Sequence, residues 1–470
     1  MKKLLSILII LSLLASFTAC KRDTEDKPCE EPIPVNGVYV TEYKIVYDAE
    51  GVDYNKRAAE YIRDSIYAIT GCKLEIVDDS EPKGEREIVV GETSRAISAE
   101  LDEATEGFEF AMLAKDGTVA LEAQYFVIAA AAYYFIDTYF NVSADVTIPD
   151  GVTVREPVAK EAKNIILLIG DGMGLYQTKL YEYLEDVSDY SDGEGFFYGY
   201  MFPYQGFSRT QSLSGITDSA AGGTALSTGY KTLNRYVGMD KDGNDLKSLT
   251  ELSAELGKAT AVMSTESQTG ATPSTFSSHT LDRGYSDEIR EDQALLSSTC
   301  GTLIECNFDY YTARYMKNSI EKRVTETLGK IGEDQDGFFV MYEEAHIDKH
   351  SHDNDIENTF LALIRFNQVI ARFMEYAFYS PDTAVIITAD HETGALLPNE
   401  DGSLSYNSED HSAADVPIFA YGMGMEVFDR QTVENIEIAK HIASLMGKDG
   451  FGDQSNEWYD TIYGEKDFTE

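Results

Sequence analysis

Lys163–Gly174 reads KNIILLIGDGMG, and this stretch decides the fold. Ile165 to Ile169 are apolar at every position, with none of the alternation of a strand that has one wet face. Such a run fits a strand buried on both sides, which parallel sheets require because helices cover both their faces. The run ends abruptly in Gly170-Asp171-Gly172, an acid set in a turn. The same kind of run recurs at Ala259–Met263, Phe338–Tyr342, Ala384–Thr388 and Val416–Tyr421. Helical stretches lie between them, among them Leu246–Leu256 and a long one from Ile356 to Ala377 that puts Phe360, Leu363, Ile370 and Phe373 on one face. The expected fold is α/β: a mostly parallel central sheet flanked by helices on both faces.

The strand ends carry the chemistry. In open parallel sheets, ligands bind beyond the carboxyl ends of the strands. Here those ends lead to Asp171, to Gly270-Ala271-Thr272-Pro273, to Glu343-Glu344 followed by Asp348 and His352, and to Asp390-His391-Glu392. One acid beside a glycine is often only a turn. Carboxylates and histidines from distant parts of the chain, all delivered to one sheet edge, point to a metal cluster. Asp348 and His352 are four apart, so on a helical turn both face one metal and suit zinc. Asp390-His391 is an oxygen–nitrogen pair that suits a second zinc, whereas an oxygen-only set of Asp, Glu and Thr suits magnesium.

At this point the sequence resembles the alkaline phosphatase family. The matching segments are Lys163–Gly174, Thr217–Gly229 (TDSAAGGTALSTG), Ala271–Arg283 (ATPSTFSSHTLDR), Phe338–His352 (FFVMYEEAHIDKHSH), Thr383–Gly394 (TAVIITADHETG) and Asp410–Gly422 (DHSAADVPIFAYG), in the family's order. The resemblance implies hydrolysis of small phosphate monoesters with Ser219 as nucleophile, passing through a phosphoserine. It implies one zinc on Asp171, Asp390 and His391, and a second on Asp348, His352 and His411. Magnesium would lie on Asp171, Thr272 and Glu343, and Arg283 would clamp two phosphate oxygens. Glu344 competes for the Glu343 role, but only Glu343 keeps the family's spacing to Asp348. Gly270 departs from the family, which usually has an acid or histidine there to organise the water around magnesium. That leaves the third site weaker, differently hydrated or empty. Lys349 lies where the family varies and is placed to reach phosphate through water. His279, one turn before Arg283, is expected to support that arginine. His346 and His350 match no ligand position, His441 reads as structural, and Met173, Met423 and Met425 read as packing residues. Two other function classes stay open: a phosphodiesterase of the same superfamily, and a surface protein that binds zinc and phosphate without turnover.

The rest of the chain sets the surroundings. Lys2 and Lys3 precede an apolar run to Ala19, which reads as a secretory signal peptide over residues 1–19. The residues before Cys20 resemble a bacterial lipobox, implying a lipid on Cys20, a membrane anchor and an extracytoplasmic location. Residues 20–36 read as a tether. Residues 37–157 read as a small α/β domain, with a hairpin joined through Asp116-Gly117 and a buried helix over Tyr125–Phe140, and residues 160–470 as the domain with the metal motifs. The cysteines form no CxxC pair; Cys300 and Cys306 are spaced for a local disulfide, which spacing alone does not prove. The 470 residues carry 38 Lys+Arg against 82 Asp+Glu, a net charge of −44. This excludes nucleic-acid binding through a basic face, and it means that any anion site needs strong local positive charge.

Overall fold

The computed structural model describes residues 29, 33–48, 53–101, 105–141, 146–183, 195–307 and 319–452. The signal-peptide and Cys20 expectations lie outside them. No helix among the described residues is long and apolar enough to cross a membrane. The chain divides into two compact units, residues 1–159 with Ala371–Pro381, and Lys160–Ile370 with Asp382 onward.

In the first unit a six-stranded sheet runs Ile76–Asp78, Lys44–Tyr47, Glu87–Val90, Thr118–Ala123, Phe110–Lys115, Gly151–Arg155. The first four strands are parallel; Phe110–Lys115 turns back antiparallel to Thr118–Ala123. Asp116 and Gly117 both have positive φ, 51° and 76°, the geometry of the tight hairpin turn that the Asp-Gly pair predicts. The apolar run after Gln124 forms the buried helix Ile128–Phe135, prolonged by one wide turn through Ile136–Phe140. Ala371–Pro381 joins this unit from far along the sequence: Arg57 donates to Glu375 at 2.8 Å, and Tyr61 stacks on Tyr379.

Two expectations about the chain's cysteines and tether are corrected here. The disulfide joins Cys29 to Cys72, and Cys300 and Cys306 are free thiols. Cys300 ends the helix Ser286–Cys300, whose left-handed cap is Gly301; the strand Leu303–Glu305 then carries the chain away before Cys306. The far end of the stretch read as a tether is also tied into structure, because Pro34–Val35 pairs with Val38–Tyr39.

The second unit is built on an eight-stranded sheet in the order Leu303–Glu305, Ala259–Ser264, Phe338–Glu344, Asn164–Gly170, Thr383–Thr388, Val416–Tyr421, Tyr204–Arg209, Thr432–Glu434. All neighbours are parallel except on either side of Val416–Tyr421, which alone runs the other way. The sheet is therefore mostly parallel, as its apolar runs predict. One face packs Ile165, Leu167, Met341 and Ile386 against helix residues Leu226, Leu249, Ile438 and Ile442. On the other, Tyr342 stacks on Phe366 of the helix Ile356–Tyr379. Parallel register aligns the strand ends: Glu343 and Thr388 both lie beside Ile169, and Ser264 lies beside Glu343. Four carboxyl ends thus finish level with one another, which brings their acids together.

Candidate metal centre and nucleophile

Close backbone approach assembles the site. Gly172 has φ +72°, and a Cβ there would come within 2.8 Å of the Asp348 Cα. Its N–H donates to Asp390 Oδ1 at 3.3 Å. The helix Ser219–Thr228 is made of small residues for the same reason: a Cβ on Gly222 would meet the Asp390 carbonyl oxygen at 2.8 Å. Asp218 caps this helix by accepting from the Ala221 N–H at 3.0 Å, which leaves Ser219 at its buried first turn. Ser219 Oγ lies 3.2 Å from His391 Nε2.

His391 stands between two ligand sets. Asp171, Asp390 and His391 offer ligand atoms all within 4.8 Å of one another, and so do Asp348, His391 and His411. His352 completes the second set: its Nε2 lies 3.3 Å from Asp348 Oδ1 and 3.1 Å from His411 Nε2. All six expected zinc ligands therefore converge, together with Ser219.

The hydrogen bonds of the three imidazoles show that the donors suit metal ions. His411 Nδ1 sits 2.8 Å from the Thr217 carbonyl oxygen, and His352 Nδ1 sits on the Glu409 carbonyl oxygen. A carbonyl only accepts, so both Nδ1 atoms carry the proton. Thr393 has one hydroxyl proton, which goes to the acceptor-only Asp348 carboxylate, so its oxygen accepts from His391 Nδ1 at 3.2 Å. In the neutral imidazoles each Nε2 then turns a bare lone pair inward, the tautomer a metal needs. Two such lone pairs, on His352 and His411, face each other at 3.1 Å, an arrangement that calls for a cation. Buried Asp171 Oδ1, Asp390 Oδ2 and Thr272 Oγ1 have no hydrogen-bond partner, and unmet buried polar atoms are rare without such a reason.

Without cations this is a costly assembly. Burial, then Asp390 and the acids beyond it, holds the Asp171 carboxyl well above the usual range. Burial and then Asp348 push Asp390 up to about 7; burial and then Glu266 push Glu343 up to about 8. Burial, then the charges of His411, His352 and Arg283, lowers His391.

The flanking residues are also placed. Glu343 and Glu344 part as alternate residues of one strand must. Ser264 Oγ donates to Glu343, which lies on the metal side, whereas Glu344 accepts from Arg365 and Thr265. Burial alone would raise Glu344, but Arg365 and His346 outweigh it and hold it low. Arg283 is partly exposed, its Nη1 3.5 Å from Asp218 Oδ2 beside the nucleophile.

Lys349, expected to reach phosphate, pairs instead with Glu266. His279 does not support Arg283: its Nε2 lies 2.9 Å from the Leu246 carbonyl oxygen and 3.5 Å from Glu251. His346 and His350 lie off the ligand sets, with His346 against Glu344 and Thr265, and His441 binds the Gly424 carbonyl. Met173 and Met425 are buried, but Met423 is half exposed and packs no core. The sequence reading missed Thr393 and Glu266. Thr393 lies inside a quoted motif, two residues after His391, and that proximity was its only signal.

The fold and this site define an α/β protein with two groups of candidate metal ligands and a serine at a helix N-terminus. The family model for alkaline phosphatase matches residues 162–310 and 304–400, about half of the chain, and the chain belongs to the alkaline phosphatase family. Alkaline phosphatase 3 of Bacillus subtilis is 31% identical over 306 residues, covering 54% of this chain and 66% of the relative. Alkaline phosphatase 4 of the same species is 26% identical over 53% of this chain and 65% of its own. The chain thus spans just under two thirds of the length of these curated relatives. Among solved structures, alkaline phosphatase from the Antarctic bacterium TAB5 superposes with a TM-score of 0.54 at 27% identity, over 61% of this chain and 99% of its own. A variant of that enzyme carries Mg bound in its M3 site, at a TM-score of 0.51, 27% identity, and 62% and 99% coverage.

Proposed function

We propose that this protein hydrolyses phosphate monoesters through a phosphoserine on Ser219. The observation that carries this reading is the position of Ser219 Oγ, buried at a helix N-terminus and 3.2 Å from His391 Nε2, the residue common to both ligand sets. Asp171, Asp390 and His391 would hold one zinc, and Asp348, His352 and His411 the other. Asp171, Thr272 and Glu343 would hold magnesium. When bound, these ions supply Lewis-acid polarisation of the phosphoryl group and a lowered pKa for the attacking oxygens.

The chain's own part is positioning. The first-turn N–H groups of Ser219–Thr228 and the helix dipole favour a dianion beside Ser219. Arg283, held at that rim by Asp218, offers a planar fork to two non-bridging oxygens, which favours a monoester over a diester. Ser219 Oγ forms a bond to phosphorus as the ester P–O bond breaks and the alcohol leaves. Water then attacks phosphorus and Ser219 Oγ leaves in turn, so one water is consumed and configuration at phosphorus is retained.

The test is Ser219→Ala. It should lower turnover of p-nitrophenyl phosphate by at least about 1,000-fold while metal content stays at the parent level. Near-parent turnover sinks the nucleophile role. Preference of the parent for the matched diester moves the chain to the phosphodiesterase class, and metal without turnover of either ester moves it to binding alone.

The protein is further proposed to be exported and lipid-anchored through Cys20. The Cys29–Cys72 disulfide supports an oxidising compartment. Mass spectrometry of the mature N-terminus should find a diacylglyceryl-modified Cys20, and an unmodified chain beginning at Met1 would contradict both export and anchor.

A further inference from the structure

The space in front of Gly270 is filled from four residues upstream. A Cβ built on Gly270 would lie 1.9 Å from Glu266 Oε1 and 2.5 Å from its Cδ, so the Glu266 carboxylate occupies the volume a side chain at 270 would take. The carboxylate is held from several sides. Glu266 N–H donates to Ser264 Oγ at 2.9 Å, and the same hydroxyl donates to Glu343, which ties the Glu266 backbone to the Glu343 carboxyl. The Glu266 carbonyl accepts from the Asn307 N–H at 2.6 Å. Lys349 Nζ pairs with Oε2, which leaves Oε1, the atom facing Gly270, to other partners.

Ser264 thereby joins Glu266 to the oxygen donors expected at the third cation centre. Glu343 is 1% exposed, and Thr272 is fully buried with its hydroxyl unpartnered. Asp171 Oδ1 is buried and unpartnered as well. The Glu266 charge is close enough to bear on both Glu343 and Asp171. Three carboxylates and a hydroxyl gathered near one strand end, with one ammonium balancing them, are the donor types a small divalent cation with oxygen ligands takes.

We propose that Glu266 supplies to the third cation centre the carboxylate that Gly270 lacks, its Oε1 holding the cation or a water of its shell while Lys349 fixes Oε2. Gly270 is then no defect: glycine is what lets Glu266 in. The proposal rests on the three-centre reading above, but it concerns binding and not turnover.

The experiment is calorimetric titration of Mg²⁺ into the zinc-loaded protein, with melting temperature measured alongside. Glu266→Gln keeps the shape and removes the charge, and it should weaken Mg²⁺ binding by about 10-fold or more and abolish the Mg²⁺-dependent rise in melting temperature. Gly270→Asp in a Glu266→Ala background has room for its carboxylate and should recover most of the affinity. Zinc content should match the parent in both variants. Parent-like Mg²⁺ affinity in Glu266→Gln overturns the proposal, as does loss of zinc together with magnesium, because the effect would then be general collapse. A parent that takes up Mg²⁺ through Glu266 but cleaves no monoester would overturn the proposed function and leave this inference standing.

Discussion

Thr393 has one proton to give and two neighbours placed to use its hydroxyl. By donating to Asp348 and accepting from His391 Nδ1, it decides which imidazole nitrogen is bare and so whether His391 can serve as a ligand on its Ser219 side. Thr393→Val keeps the shape and removes this control. It should lower kcat/KM by about 10- to 100-fold and reduce bound zinc to a similar degree, the usual cost of losing a group that orients a metal ligand. Thr393→Ser should restore both, and unchanged zinc affinity in the valine variant would show that the tautomer is set elsewhere. The convergence of the candidate ligands was legible in the sequence because each is a chemically committed residue at the end of a recognisable run: Asp171 after Ile165–Ile169, Asp390-His391 after Ala384–Thr388. Thr393 and Glu266 were not. A threonine in a motif has many uses, and the role of Glu266 depends on an absent side chain four residues away, which only the fold reveals.

The strands were legible for a simple reason: burial on both faces leaves no alternation to misread, and Val416–Tyr421 was bounded to the residue. Its reversed direction was not legible, because an apolar run reads the same in either sense. Cysteine pairing was hidden too, since Cys29 and Cys72 are 43 residues apart and only tertiary structure brings them together. The level strand ends have a thermodynamic consequence. In the metal-free protein, burial and neighbouring acids push Glu343 up to about 8 and Asp390 up to about 7. A carboxyl whose folded pKa is raised holds its proton longer in the native state than in the unfolded one. The native state then binds more protons, and stability falls as pH rises through the folded pKa values. Metal reverses this by taking the place of the protons. The melting temperature of chelator-treated protein should therefore drop as pH rises from about 5 to about 8 and level off above that, while that of the metal-loaded protein holds, so the gap widens up to about pH 8. A gap that stays constant across that range would mean that these carboxyls are not protonated in the metal-free fold.

At the scale of the whole molecule, the proposed function requires the site to bind a dianion on a chain whose net charge is −44. The two effects act over different distances. Within the site, bound cations and Arg283 act at contact range, in a region largely closed to water, where salt screens little. Outside it, the excess of 82 acidic over 38 basic residues makes a field that opposes the approach of phosphate. That field is long-ranged and solvent-exposed, so it shrinks as the screening length falls from about 30 Å at 0.01 M salt to about 8 Å at 0.15 M. Raising ionic strength over this range should therefore increase kcat/KM for a dianionic monoester by increasing the encounter rate. It should leave kcat nearly unchanged, since the bound state is already shielded. A chloride salt at fixed pH and saturating metal is the appropriate titrant, because inorganic phosphate would compete for the site. A steep fall in kcat/KM with salt would have the opposite meaning: substrate is steered by a local positive field from the metal centre that reaches past the acidic surface, and the net charge of the chain does not govern capture.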